Sequence, residues 1–443
     1  MSGTGTGLGW GGIVRLGLVQ SALGAIVALT TSTLNRVMVV EYGLPAMIPA
    51  GLVAWHYAVQ LSRARWGHAS DVGRQRTPWI VSGMAALGLG GVLAALATTL
   101  MGDARWSGLL LGALAFTLIG FGVGAAGTSL LALLASVVAP ARRPAAAALT
   151  WILMIAGIIV SSAAAGALLE PFSPARLVAV SAGVSVAAFV ATMIAVWGVE
   201  AGSRRAVEPV DAPPAFAQVL AEIWQDSAAR RFTLFVFVSM LAYSAQDLIL
   251  EPFAGLIFGF TPGQSTSLSA VQHGGVLLGM VLVGVAGNAF GGSSSAVAPR
   301  GWMRSWTIAG CVGSAVALAG LGMAAMVGPA WPLKPTVFIL GFANGVFAVA
   351  AIGSMMGLAG RGSGGREGSR MGVWGAAQAI AFGLGGFLGA AGVDVGRHIF
   401  AHTSSAFVAV FATEATLFLI AAAIAAKPQD RAYPVPRLLE ISV

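Results

Sequence analysis

Charged side chains are scarce in this 443-residue chain, since Asp, Glu, Lys and Arg together make up only 9% of it. Hydrophobic residues make up 57%, and the mean hydropathy is +0.86. A soluble protein of this length needs many more charges to solvate its surface. The composition therefore predicts a polytopic membrane protein and excludes a soluble globular one.

Cysteine and the common catalytic motifs are also nearly missing. The single cysteine, Cys311, cannot form an internal disulfide, and its apolar neighbours in sequence predict a packed, inert thiol. No Cys/His metal cluster, nucleotide-binding glycine loop or paired nucleophile and base occurs in the sequence at usable spacing. We therefore expect that the protein is not an enzyme.

The net charge of +8 comes from basic residues that fall between the apolar segments and form no patch interleaved with aromatics. This distribution argues against nucleic-acid binding. If the N-terminus is cytoplasmic, 19 of the 24 Lys and Arg residues lie on the cytoplasmic side. The positive-inside rule then predicts that both termini are cytoplasmic.

Twelve apolar segments approach or exceed the length of about 20 residues that crosses a bilayer. The first stretch, MSGTGTGLGW, lacks a basic n-region and a cleavage site, so we expect the first segment to remain as a membrane span. The predicted spans are 12–40, 45–61, 79–101, 107–138, 145–169, 175–199, 232–250, 265–289, 302–327, 332–358, 371–393 and 405–426.

The longest polar interruption, residues 200–231, divides the spans into two sets of six. We predict an N-terminal six-helix half (1–199), a cytoplasmic linker (200–231) and a C-terminal six-helix half (232–443). Within the linker, Phe216, Val219, Leu220 and Ile223 recur at helical spacing, which predicts a short amphipathic helix on the membrane surface. A solvated linker is the alternative.

The two halves resemble each other in sequence. Span four contains GFGVG at 120–124, and span ten contains GFANG at 341–345. LNRVMVVEYGL near the end of span one aligns with SAQDLILEPFA in span seven, which pairs Glu41 with Glu251 and Arg36 with Gln246. Duplicated six-helix halves are the plan of the major facilitator transporters, so we expect an all-α fold of that class.

The loop after span two, RWGHASDVGRQRTPWI, resembles the facilitator signature loop in combining a glycine, an acid and basic residues. By that resemblance, Asp71 with Arg74 or Arg76 would form a cytoplasmic clasp between helices. A basic loop that only sets topology is the alternative, because exposed ion pairs contribute little by themselves.

Three stretches together resemble the PucC/LhaA family: RLGLVQSALGAIVALTTSTLNRVMVVE, SDVGRQRTPWIVSGM and AQDLILEPFAGLIFGFTPGQSTSLSA. These are facilitator-like proteins of phototrophic bacteria associated with bacteriochlorophyll delivery and light-harvesting complex assembly. The compact loops look most like the short PucC-like member found beside bacteriochlorophyll biosynthesis enzymes. The resemblance implies a bacterial inner (intracytoplasmic) membrane, bacteriochlorophyll as a candidate ligand, and bacteriochlorophyll synthase or light-harvesting and reaction-centre polypeptides as partners.

SAQDLILEPFAG places ionisable residues at membrane depth. Charge is costly there, so such residues indicate a functional role by default. Asp247 and Glu251 share one helix face, and Pro252 is expected to end the helix directly afterwards. We predict an outer clasp across the halves, in which Arg36 pairs with Asp247 or Glu251. The predicted clasp residues are Arg36, Glu41, Gln246, Asp247 and Glu251. Alternatively, the carboxylates only cap helix ends or meet interfacial water.

Glu414 lies alone near the middle of span twelve. It suits the proton carrier of a proton-coupled transporter, or a neutral acid that is hydrogen-bonded to a neighbouring helix. A facilitator-type, proton-coupled small-solute transporter is accordingly the alternative to a pigment-handling assembly factor.

His56 in span two and His273 in span eight occupy corresponding helices of the repeats. Neutral imidazole can ligate chlorin magnesium when its second nitrogen is oriented by a hydrogen bond. Trp55, beside His56, would pack against a pigment ring or tail. The alternative is that each histidine is a hydrogen-bonded helix contact.

Glycine- and alanine-rich faces predict where a partner helix docks, because small residues let helices approach closely in lipid. We expect contact through LGLGGVLAALA, which contains Gly90, or GLGGFLGAAG, which contains Gly386. Internal packing of these faces is the alternative.

Overall fold

A computed structural model describes residues 8–61, 75–139, 142–200, 227–290, 302–359 and 367–427, with positions 221, 224 and 225. Twelve helices follow along this part of the chain. They are α1 Trp10–Glu41, α2 Met47–Gln60, α3 Thr77–Asp103, α4 Arg105–Val137, α5 Arg143–Leu168, α6 Pro174–Val196, α7 Ser227–Phe258, α8 Pro262–Phe290, α9 Trp302–Val327, α10 Leu333–Ala359, α11 Glu367–Ile399 and α12 Thr403–Ala426.

Eleven of these helices, all except the 14-residue α2, are long and apolar enough to cross a membrane. The chain is therefore a multi-pass membrane protein, and each predicted span coincides with one helix. We call the end of the bundle where α1 finishes the Glu41 end, and the opposite end the Arg76 end.

α7 begins at Ser227, so the last residues of the predicted linker are helical in the structure. Most of the proposed amphipathic helix lies outside the described residues, which resume continuously only at 227. The assignment of 1–199 and 232–443 as separate halves stays a prediction.

Helix ends follow local sequence signals. The Ser173 hydroxyl accepts a hydrogen bond from the Arg176 N–H at 3.2 Å, and Pro174 starts α6 where a missing N–H costs nothing. Gly259 follows α7 with a φ of +69°, a left-handed conformation that glycine adopts without a Cβ clash. These signals place the turns at the two ends of the bundle.

Pro252 does not end its helix, contrary to the sequence-based prediction, and α7 continues to Phe258. A proline inside a helix deprives the carbonyl four residues earlier of its N–H donor. That carbonyl belongs to Leu248, and the side-chain amide of Asn35 in α1 donates to it at 2.5 Å. The helix persists because another helix supplies the missing donor.

Two large apolar clusters form the core. One is built almost entirely from α1–α6, with Leu248 of α7 added to it. The other is built mainly from α7–α12 and includes Val39, Ala46 and Ala50 from the first part of the chain. The two clusters therefore meet where α1 and α2 approach α7.

The duplicated GF motifs pack against the helices that carry the two histidines. A Cβ added to Gly120 would lie 2.8 Å from the His56 carbonyl oxygen, and one added to Gly341 would overlap the Gln272 carbonyl oxygen. The α2–α4 and α8–α10 contacts are thus alike, and both need glycine for close backbone approach.

The small-residue faces proposed for partner docking pack internally instead. A Cβ on Gly90 would lie 2.9 Å from the Ala115 carbonyl oxygen of α4. A Cβ on Gly386 would overlap the Leu248 side chain of α7. Both glycines serve helix contacts inside the protein, so the docking prediction for these faces is wrong.

Candidate functional site

Arg36 is almost fully buried, and it forms its ion pair with Glu41, five residues later in the same helix. Its other terminal nitrogen donates to the Phe260 carbonyl oxygen, beyond the end of α7. Arg36 therefore forms no ion pair with Asp247 or Glu251, contrary to the prediction, although it interacts electrostatically with Glu251. A wide, π-helical turn over Val37–Glu41 separates the two pair members and brings Glu41 back to the guanidinium.

Glu251 and Asp247 lie one turn apart on α7 and have different surroundings. Glu251 is buried, and one of its oxygens accepts from the Ser269 hydroxyl of α8 at 2.6 Å. Asp247 is only half-buried. Gln246 is fully buried, and neither its amide oxygen nor its nitrogen has a partner within the described residues. The sequence alignment of the repeats matched Arg36 with Gln246 and Glu41 with Glu251. The two matched positions differ in structure, because Arg36 forms an ion pair with Glu41 whereas Gln246 forms no hydrogen bond with Glu251.

Asp394 of α11 contacts the start of α2 at the Glu41 end. Its two carboxylate oxygens accept from the backbone N–H groups of Ala46 at 3.0 Å and Met47 at 2.8 Å, and so cap α2. The sequence held a signal for this role, since GLPAM before α2 offers no Ser, Thr, Asp or Asn to cap the helix locally. A distant side chain had to supply the acceptor, and sequence reasoning missed it.

At the Arg76 end, Arg76 donates to the Ala132 carbonyl oxygen of α4. The Glu200 carboxylate, just past α6, accepts from the backbone N–H groups of Arg76 at 3.0 Å and Thr77 at 2.8 Å. Glu200 thus caps α3, a role not expected from sequence. The other two proposed members of the cytoplasmic clasp, Asp71 and Arg74, lie outside the described residues.

His56 has both ring nitrogens engaged. Nδ1 lies 3.2 Å from the Val53 carbonyl oxygen, and Nε2 lies 2.6 Å from the side-chain nitrogen of Gln60. The ring is buried and also packs against Tyr57, with centroids 4.4 Å apart. A metal bound by His56 through Nε2 would have to displace the Gln60 side chain.

His273 is also buried, but a hydrogen bond is found at only one of its ring nitrogens in the described structure. Its Nδ1 lies 2.9 Å from the Ser269 carbonyl oxygen, the geometry of an N–H donor four residues along the helix. This bond fixes the tautomer and leaves Nε2 as the nitrogen able to accept or ligate. Asp247 is close enough to interact electrostatically with the ring.

Trp55 does not share a site with either histidine. Half of its surface is exposed, whereas the neighbouring His56 is buried. The Trp55 indole N–H donates to the Thr117 hydroxyl at 2.8 Å on the outside of the bundle. Successive helical residues point about 100° apart, so Trp55 faces lipid and His56 faces the interior.

A row of aromatic rings links α2 to α7 through α11. Tyr57 of α2 contacts Phe382 of α11 at 5.5 Å between centroids, and Phe382 contacts Tyr243 of α7 at 5.8 Å. All three rings are half-buried, as is Asp247 one turn from Tyr243. We call these residues, with Asp247 and His273, the central site. Sequence reasoning had named only Asp247 and His273 among them.

Glu414 of α12 is buried in an aromatic interior. Phe411 and Phe418, on the same helix face, contact Phe253 at 5.1 Å and Phe347 at 5.5 Å. Neither carboxyl oxygen of Glu414 has a hydrogen-bond partner within the described residues. The expected hydrogen bond to a neighbouring helix is therefore not formed there.

This twelve-helix bundle, with its central site between two groups of helices, has the fold of the major facilitator transporters. A POT family transporter in complex with a thioalcohol-conjugated peptide matches it with a TM-score of 0.65 at 11% identity, covering 92% of this chain and 95% of that one. A bacterial homologue of the human lysosomal transporter Spinster, inward-facing and occupied, matches with a TM-score of 0.63 at 14% identity, covering 93% and 95%.

Within that class, residues 33–432 match the model of the family described as PUCC protein, and the chain belongs to this family. It is 51% identical to the bacteriochlorophyll synthase 44.5 kDa chain of Rhodobacter capsulatus, covering 94% of this chain and 95% of that protein. It is 29% identical to protein PucC of Cereibacter sphaeroides, covering 91% and 88%. The family predicted from the sequence is confirmed.

Proposed function

We propose that the protein is a non-catalytic membrane assembly factor that assists bacteriochlorophyll delivery to, or assembly of, photosynthetic light-harvesting complexes. Family membership along most of the chain carries the proposal, together with the relative named as a chain of bacteriochlorophyll synthase. We place it in the bacterial inner (intracytoplasmic) membrane with both termini cytoplasmic, because its basic residues are concentrated on one side.

The proposed partners are bacteriochlorophyll synthase and the light-harvesting or reaction-centre polypeptides. Affinity purification of the tagged full-length chain from membranes of its phototrophic host, followed by mass spectrometry, tests this. We expect at least one of these partners to be enriched over the amount recovered with a tagged facilitator transporter from the same membranes. Equal recovery with both baits would contradict the proposal.

The central site is the proposed place of pigment binding, with His273 as the axial ligand of the chlorin magnesium. Its Nδ1 contact with the Ser269 carbonyl orients the ring, and the half-buried rings of Tyr57, Tyr243 and Phe382 offer apolar faces for a flat macrocycle. His56 is the weaker candidate because Gln60 lies against its second nitrogen. The magnesium would act as the Lewis acid that accepts a lone pair from His273, and these residues would hold and orient the pigment.

A proton-coupled small-solute transporter is the second candidate, and Glu414 is the observation in its favour. A buried carboxyl group without a hydrogen-bond partner in the described structure suits a group that exchanges a proton. Uptake of a small solute into proteoliposomes under a pH gradient would favour this function. Uptake that Glu414→Gln leaves unchanged would exclude Glu414 from it.

A further inference from the structure

We propose that the central site accepts a magnesium chlorin whose propionate is esterified and discriminates against the free acid, with Asp247 as the specificity-determining residue. The inference rests on the proposed function and deepens it. This preference means that the propionate must be esterified, and so lose its charge, before the pigment binds the protein. The protein would receive the product of that reaction rather than supply its acidic precursor.

The ligand-facing surface of the central site is aromatic and partly accessible. Tyr57, Phe382 and Tyr243 form a continuous row from α2 across α11 to α7, and none of the three rings is fully buried. Rings from both halves contribute, so a ligand against this row lies between the halves and not on the lipid-facing surface. Flat, uncharged π-systems are the ligands that such a surface favours.

Asp247 adds negative charge at this row. It lies one helical turn from Tyr243, on the same face of α7, and interacts electrostatically with Tyr243 and His273. Glu251 lies one further turn along and also interacts with Asp247. Asp247 of the central site and Glu251 beside it therefore place two carboxyl groups on neighbouring turns of α7.

No permanent cation balances this charge within the described part of the central site. Arg36 is the guanidinium that interacts with Glu251, and it is already bound by Glu41 and by the Phe260 carbonyl oxygen. Its side chain is almost fully buried, and its Nη2 lies 3.2 Å from a Cβ built on Gly255 of α7, about two turns beyond Asp247. An incoming carboxylate would thus be desolvated without a counter-ion.

Both protonation states of Asp247 disfavour an acidic ligand. An ionised Asp247 repels a propionate directly, and the repulsion is stronger between the halves than in water. A protonated Asp247 can donate a hydrogen bond to a ring carbonyl of the ligand, but it supplies no positive charge. A neutral ester avoids both penalties, so we expect its affinity to exceed that of the acid on the order of tenfold.

The test compares two ligands that differ in one charge. Full-length, pigment-free protein in lipid nanodiscs is titrated with the free acid of bacteriochlorophyll and with its methyl ester, and absorbance is corrected with empty nanodiscs. We expect the wild-type protein to bind the ester about tenfold more tightly. Asp247→Asn should lower this ratio without bringing it to one, because the direct repulsion is lost while the missing counter-ion still disfavours the acid. Asp103→Asn, which neutralises an exposed carboxylate at the Glu41 end of α3, should keep the wild-type ratio.

Each other result has its own meaning. Equal affinities, or preference for the acid, in the wild-type protein would overturn the inference and leave pigment binding intact. An unchanged ratio in Asp247→Asn would overturn the role of Asp247. Binding of neither ligand above empty nanodiscs would overturn direct pigment binding itself. The wild-type ratio decides the ligand class even if a variant fails to fold, which size-exclusion chromatography detects.

Discussion

At the residue scale, the contact between Asn35 and the Leu248 carbonyl shows how this bundle tolerates a proline in a central helix. In lipid no water can replace a missing backbone donor, so an unpaired carbonyl is costly. The Asn35 amide satisfies it from α1, at 2.5 Å. One side chain therefore keeps α7 helical through Glu251 and also ties α1 to α7.

Asn35→Ala should lower the free energy of unfolding by about 1–3 kcal/mol, the cost of leaving a buried acceptor unpaired. In a Pro252→Ala background the restored N–H of residue 252 can bond Leu248, so the same change should cost clearly less. Reversible unfolding of the four proteins in mixed micelles gives the coupling free energy. Equal losses in both backgrounds would show that Asn35 does not replace the helix bond.

At the element scale, α8 and α10 are in near backbone contact along one seam. Gly341 and Gly345 lie one turn apart, and a Cβ on either would overlap a carbonyl oxygen of α8, that of Gln272 or Val276. This seam positions His273, the residue after Gln272. The duplicated glycines therefore matter for the site through the placement of α8.

Gly341→Ala should destabilise the protein by about 1–3 kcal/mol, because an added methyl group cannot fit without shifting α8. Gly322→Ala is the matched control, since no atom lies within 4 Å of a Cβ built there. We expect this control to be neutral or slightly stabilising, as alanine favours helix over glycine. Thermal unfolding in detergent measures both, and equal shifts would refute the seam as a tight contact.

At the scale of the whole molecule, segment lengths and hydropathy were enough to predict twelve helices, because a span needs only a sufficient apolar run. The pairings between segments were harder to predict. Arg36 meets Glu41 through a π-helical turn that no sequence pattern announced, and Asp394 caps a helix 348 residues away in sequence. Contacts of this kind depend on which faces meet after folding, so Asp247 and His273 could be named but not their aromatic neighbours.

The central claim is that the space between the halves holds a pigment through His273. Wild-type, His273→Phe and His398→Phe proteins are purified from the phototrophic host, and extracted bacteriochlorophyll is measured per mole of protein. His398 is the matched control, because its Nδ1 also contacts a carbonyl four residues earlier, at 2.8 Å, but it is exposed at the Glu41 end. We expect pigment in the wild-type and His398→Phe proteins and a several-fold loss in a folded His273→Phe protein. Equal pigment in all three proteins, or none in the wild type, would contradict the claim.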